Sequence, residues 1–578
     1  MIRPPRLVPI LSVLILALLV PAGRPGAQPA AAPGSGPIPI AIGLAGVNDW
    51  SVQQPFLDVM KTARPWIGHK PGQWGGATHE DLRDAGYLDE NGWPVAKPPE
   101  LGSIGTVILT DLPQEARSLA GRYRLRFEGD GIVEVGLRGQ NVRYGRNEVT
   151  FDFVPGPGPV DIRIQRTDRH NTGDHVRNIT VVKLDHAAAF DAGAVFNPDW
   201  LARIEGFSAL RFMDWMKTND TGQTTWSERP EPGDYTYALY GVPVEVMVQL
   251  ANRTGADAWF NMPHTADDDY IRRFATLVRD TLWREQRAYV ELSNEVWNWQ
   301  FPQAAWADRG ARARWNTSDV WLQYYALRAS EMARIWSEVY GADADARLVN
   351  VISSQTGWLG LERNVMEAPL WMAEPDAASH GQPHEYFDAY AVTGYFGYGL
   401  GHEDNAPMVR GWIAQSLALA EAEADRRGLA GAAREDFVAR HRYDAASAQA
   451  AAEIRDGALS GDKRDTLNDL LARILPHHAE VADRYGLDLI MYEGGTHVVG
   501  LGPIVDDEEL TAFFIHFNYT PEIGALYREL IEGWHRIGGK LFNAFVDVYS
   551  PTKWGSWGTL RYLGDDNPRW DALVSFLR

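Results

Sequence analysis

Short apolar runs alternate with stretches of helical spacing along most of the chain, and this alternation predicts βα units around a parallel sheet. The runs fall at 38–45, 209–214, 256–262, 288–293, 347–353, 387–393, 487–492 and 540–548. Helical patterns separate them, among them 198–207, 242–252 and 270–283, the last preceded by capping carboxylates at Asp267 to Asp269. Eight such units close into a (β/α)8 TIM barrel, an α/β fold whose functional residues lie at the carboxyl ends of the strands. A helix is also expected around Phe56 to Ala63, after the first strand.

Two stretches break the rhythm. Between residues 102 and 184 the segments 123–127, 132–136, 149–153, 160–164 and 179–183 alternate with a period of two and are punctuated by Gly, Pro, Asn and Asp. That predicts an inserted antiparallel β-sandwich, either a structural flank or a sugar-binding module. Residues 407–485 are rich in Ala, Leu, Glu and Arg without strand runs and predict a helical insertion before strand seven. The barrel is then assembled from 38–70 and 195–578. At the start, Arg3 and Arg6 precede an apolar run from Leu7 to Val20 and a small-residue stretch to Ala32, so 1–32 reads as a Sec-type signal peptide and linker. The run is shorter than the roughly 20 residues a comfortable span needs. The expected location is the bacterial periplasm or exterior, with no stable membrane insertion after cleavage.

Composition narrows the chemistry. The chain has no cysteine among its 578 residues, which removes thiol nucleophiles, disulfides and thiolate metal sites. The formal charge of −21 repels phosphate backbones, so nucleic acid is not an expected partner. The 22 Trp residues are many for a core of this size, and their flat apolar faces suit sugar rings. His380, His384 and Glu385 match no known ligand spacing, and neither a metal nor a cofactor is expected.

At the strand ends, Arg211, His264, Asn294, Glu295, Tyr395, Glu493, Trp554 and Trp557 would converge on one mouth. Glu295 and Glu493 end strands four and seven. Two carboxyls facing each other across a glycosidic bond can perform retaining hydrolysis when about 5 to 5.5 Å apart. Trp226, in the loop after strand two, and Trp297, after Glu295, are further candidates for stacking on a sugar, although Trp297 and Trp299 are equally open to packing their loop. Arg211 is open to a plain pairing with Glu291.

With these residues in place the chain resembles the clan A glycoside hydrolases, barrel enzymes with catalytic glutamates on strands four and seven; no numbered family is assignable. The resemblance rests on Val290-Glu-Leu-Ser-Asn-Glu295 and Met491-Tyr-Glu493-Gly. It implies Glu295 as acid/base, Glu493 as nucleophile, Asn294 at the sugar 2-hydroxyl, Arg211 and Tyr395 beside the nucleophile, and Trp554 as the eighth-strand platform. The implied activity is a secreted retaining β-glycoside hydrolase acting on a polysaccharide or oligosaccharide, with β-glucan or cellulose the first expectation. A catalytically inactive carbohydrate-binding protein on the same barrel is the alternative. The sugar, the endo or exo mode and the oligomeric state are left open by the sequence.

Overall fold

The computed structural model describes residues 38–577; the expected signal peptide lies outside them. Eight parallel strands form a closed barrel in sequence order: Ile40–Gly43, Ala209–Arg211, Asp257–Met262, Ala288–Leu292, Leu348–Ser353, Ala389–Phe396, Asp488–Thr496 and Leu541–Ala544. Ile42 pairs with Leu210 on one side and with Ala544 on the other, which closes the ring. The barrel strands are buried almost throughout, as expected when side chains of one face fill the barrel and those of the other meet the surrounding helices.

After the first strand only a short 3-10 turn, Val59–Thr62, forms where a longer helix was expected. Asp58 caps it by accepting from the Met60 N–H, and the chain then leaves the barrel in extended backbone at Ala63. The insert holds two antiparallel sheets. One orders its strands Arg177–Lys183, Gly121–Glu128, Glu148–Phe153 and Gln140–Tyr144. The other runs Gly76–Ala77, Ile67–His69, Ser103–Ile108, Val160–Thr167 and Gly131–Leu137. This second sheet takes in residues upstream of the 102–184 range read from the sequence. Period-two burial gives the first sheet an apolar face: Tyr123 and Leu125 lie beside Phe151 and Phe153 on the adjacent strand, and Tyr123 stacks on Phe151 at 5.5 Å.

Insert and barrel share one apolar core. The Asp58 carboxylate also accepts from the Val181 N–H of the insert at 2.8 Å, and Trp66 stacks on Tyr235 at 5.4 Å. Before strand seven come the helices Ala406–Arg426, Ala432–His441, Asp444–Asp456 and Leu475–Tyr485, with a wide helical turn at Leu470–Ile474. No helix among the described residues is long and apolar enough to cross a membrane.

Candidate active site

The carboxyl ends of the strands open into a cavity of about 1070 Å³ lined by Glu295, Glu493, Asn294, Tyr395, Tyr492 and Trp557, among others. Arg211, the last residue of the second barrel strand, lies buried beneath it. Its guanidinium donates to Glu493 Oε1 at 2.8 Å, to Glu291 Oε2 at 3.0 Å and to Asn294 Oδ1 at 2.9 Å. Arg211 thus pairs with Glu291 and Glu493 at once, because its planar fork reaches two carboxylates. Glu291 is fully enclosed and further bonded by Asn261, Trp259 and Ser353, which fixes it as the anchor of the arginine. Burial alone would lower the Arg211 pKa, but the charges of Glu291 and Glu493 outweigh it and keep the guanidinium cationic.

Glu493 receives a second donor, the Tyr395 hydroxyl, at 2.9 Å. Glu295 has a different set: the Tyr492 hydroxyl at 3.0 Å and the Asn298 amide at 2.9 Å, both neutral. Burial raises the pKa of Glu295. Burial and the neighbouring Glu295 charge raise that of Glu493, while Arg211 and Tyr395 work against the rise. Burial also pushes both tyrosines well above their usual range, so they stay protonated donors.

Local backbone explains how adjacent residues reach the same space. Ser293 and Glu295 have φ of 61° and 42°, left-handed values uncommon outside glycine. The turn they make at the end of strand four brings Asn294 and Glu295 to the mouth side by side. In strand seven the pairing with strand six slips between Val392/Met491 and Thr393/Glu493, leaving Tyr492 as an extra residue. Successive strand residues ordinarily point to opposite faces, and this bulge re-aims Tyr492 so that it and Glu493 both line the cavity.

Asn294 is held further by Asn219, which accepts from its amide at 3.2 Å and from Gln303 at 2.8 Å. Asn298, Asn219, Gln303 and Tyr492 were not expected from the sequence. The first three sit on irregular or helical segments without a period to read.

Of the expected aromatic contacts, Trp297 lines the cavity edge-on to Tyr492, and Trp557 stands edge-on to Tyr395. Trp554 lines it too and is 63% exposed. It lies on the loop after strand eight rather than on the strand, which ends at Ala544; Phe545 takes the strand-end place in the lining. Two expected contacts lie elsewhere. Trp226 is outside the lining, turned edge-on to Tyr270 with the Arg229 guanidinium 4.4 Å above its ring. His264 is buried behind Trp306, and burial takes its pKa down to about 4, so it is a neutral packing residue.

The one His/Asp/Glu group among the described residues compact enough to hold a metal is Glu362, His477 and His478. His478 already uses both ring nitrogens, on the Tyr390 hydroxyl and the Thr356 carbonyl, which suits a hydrogen-bond network better than a ligand set.

No family model matches the chain, and no curated protein does. Solved structures that match part of the chain include a family 5 xyloglucan-specific endo-β-1,4-glucanase from a metagenomic library, at 11% identity over 65% of this chain and 85% of its own, TM-score 0.30. Fungal β-1,4-galactanases match at 12% identity over 67% and 96%, TM-score 0.30. An exo-β-1,4-mannosidase from Opitutaceae bacterium strain TAV5 matches at 11% over 68% and 57%, TM-score 0.33. Likeness this distant leaves the activity of this chain to its own residues.

Proposed function

We propose that the protein is a retaining β-glycoside hydrolase in which Glu493 is the nucleophile and Glu295 the acid/base. The observation that carries this is the unequal pair of donor sets around two carboxyls in one cavity. A cation and a phenol stabilise the anion at Glu493; only neutral donors serve Glu295. The Arg211 charge is already shared with Glu291, so ionising both Glu295 and Glu493 would leave a net negative charge in a low-dielectric site. The pair therefore keeps one proton; burial raises the pKa of Glu493 to about 8, and the assignment of that proton to Glu295 rests on the Arg211 and Tyr395 donors, which serve Glu493 alone. Such a division supports attack by Glu493 on the anomeric carbon while Glu295 protonates the leaving oxygen; Glu295 then deprotonates the water that releases the product. Asn294, oriented by Arg211 and Asn219, is placed to bind a sugar hydroxyl, and Trp554, Trp557 and Trp297 offer aromatic faces or edges.

The polymer is a β-linked glycan, with β-glucan the first to try and the chain exported to meet it. Release of reducing sugar from β-glucans, xylans, mannans and galactans tests the activity. Proton NMR of the first product tests the mechanism: the β anomer should appear first, and initial α anomer would remove the nucleophile role of Glu493. No release from any of these polymers or from aryl β-glycosides would overturn the reading.

A further inference from the structure

Beside the main cavity lies a second depression of about 430 Å³, lined by residues that follow the first and second barrel strands, and the two meet at Asn219, which lines both. Its most prominent wall is Trp50, 48% exposed, on the loop after strand one. The loop that carries this tryptophan is held in place, since the Trp50 backbone N–H donates to Asn48 Oδ1 at 3.1 Å. The same depression is lined by a fork-on-fork pair, with Arg64 donating to the two Asp49 oxygens at 3.2 and 2.7 Å. Asp49 is buried, whereas about half of the Arg64 side chain is open to solvent.

The insert holds this wall. Arg64 donates its N–H to the Val107 carbonyl at 3.1 Å, its own carbonyl accepts from Thr106 Oγ1 at 2.6 Å, and the Thr110 N–H donates to the Asp49 carbonyl at 2.8 Å. Val107 and Thr106 belong to the insert strand Ser103–Ile108, and Thr110 follows it. An exposed aromatic ring and a charged, polar pair lining one depression suit a sugar ring, the aromatic taking its apolar C–H surface and the polar pair its hydroxyls.

We infer that this depression is an accessory sugar-binding groove, built by the antiparallel insert, that receives the part of a β-linked glycan extending past Asn219 from the cleavage site. The inference rests on the hydrolase reading and deepens it: the preferred substrate is a chain of several sugars, and the insert acts on specificity by buttressing Asp49 and Arg64.

The test compares β-linked hexasaccharides of glucose, xylose, mannose and galactose with the matching trisaccharides, in wild type, Trp50→Ala and Trp50→Phe. On whichever series is cleaved, Trp50→Ala should lower the ratio of kcat/KM for hexasaccharide over trisaccharide by about tenfold, the worth of one aromatic contact of about 1.4 kcal/mol. Trp50→Phe should retain most of it. An unchanged ratio in Trp50→Ala overturns the groove, and so does an equal loss in Trp50→Phe, which would mark a disturbed loop rather than lost stacking. If wild type cleaves none of the sugars, the hydrolase reading fails on its own. Calorimetric titration of the hexasaccharides then decides the groove: binding lost in Trp50→Ala supports it, and binding unaffected or undetectable in wild type removes it.

Discussion

The charge placed at each carboxyl follows from single hydrogen bonds, and the sharpest test is at Glu295. Glu295→Gln keeps the shape and both neighbouring donors but holds no transferable acid proton, so turnover of substrates with poor leaving groups should fall by roughly 10² to 10⁴. Aryl glycosides with activated leaving groups should lose less in the first step, and azide should restore turnover by replacing the water that the amide cannot deprotonate. The pH profile supplies an independent sign. Glu493 works ionised, so activity falls as pH drops through its pKa; Glu295 works protonated, so activity falls as pH rises through its own, which burial has raised. In Glu295→Gln the alkaline limb should vanish while the acid limb stays. An unchanged alkaline limb, or equal loss on all substrates with no azide effect, would detach Glu295 from this role.

Between elements, the closure of the barrel depends on Asp547, just past the last strand. One oxygen accepts from the Ala45 N–H at the end of strand one and the other from the Trp200 indole, each at 2.8 Å. Burial pushes its pKa up to about 6 from the ordinary 3.8. Asp547→Asn turns an NH2 toward one of those donors and should cost about 1–3 kcal/mol in urea unfolding. The sign with pH follows from linkage. A raised carboxyl pKa means the native state binds the proton more tightly, so this contribution is full below about pH 4 and is lost as pH rises through about 6. The asparagine does not titrate, and the stability gap between wild type and variant should therefore narrow from pH 4 to pH 7; a gap that widened would contradict the raised pKa. Asp547 also shows where the sequence was and was not legible. The apolar runs located all eight strands, because a buried barrel strand is a continuous apolar segment, and with them the strand-end positions of Arg211, Glu295, Tyr395 and Glu493. Where a strand stops was less visible: the 540–548 run continues beyond Ala544 into a buried loop, which put Trp554 too close to the strand. Tyr492 was hidden by the period-two rule itself, which a bulge suspends, and Trp226 and His264 were misplaced because a polar or aromatic residue after a strand reads the same whether it faces the mouth or a neighbouring helix.

At the scale of the whole molecule the question is whether the antiparallel insert is a detachable module. Its strands follow a period of their own, as expected of a unit with its own core, and on that ground removal would leave a working barrel. The contacts argue otherwise. Phe56, Trp66 and Tyr235 belong to an apolar cluster that runs without a break from barrel to insert, and Asp58, buried at the junction with its pKa raised to about 6, has the Val181 N–H of the insert as one of its two backbone donors. Excising 64–195 with a short linker would remove Trp66, expose the rings of Phe56 and Tyr235 and leave Asp58 short of a partner, a loss on the scale of several core truncations at about 2–5 kcal/mol each. The expected result is a chain that aggregates or binds a hydrophobic dye, with a melting temperature well below that of the intact protein. A soluble deletion variant with an unchanged melting temperature would mean that the insert is only appended. The gentler Val181→Pro removes the N–H that Asp58 accepts and places a ring in the strand Arg177–Lys183, so it should destabilise the same junction while leaving every residue of the cavity in the chain. If it lowers stability and also the preference for long oligosaccharides over short ones, both effects trace to one cause, the support that the insert gives to the loops of the first two barrel strands.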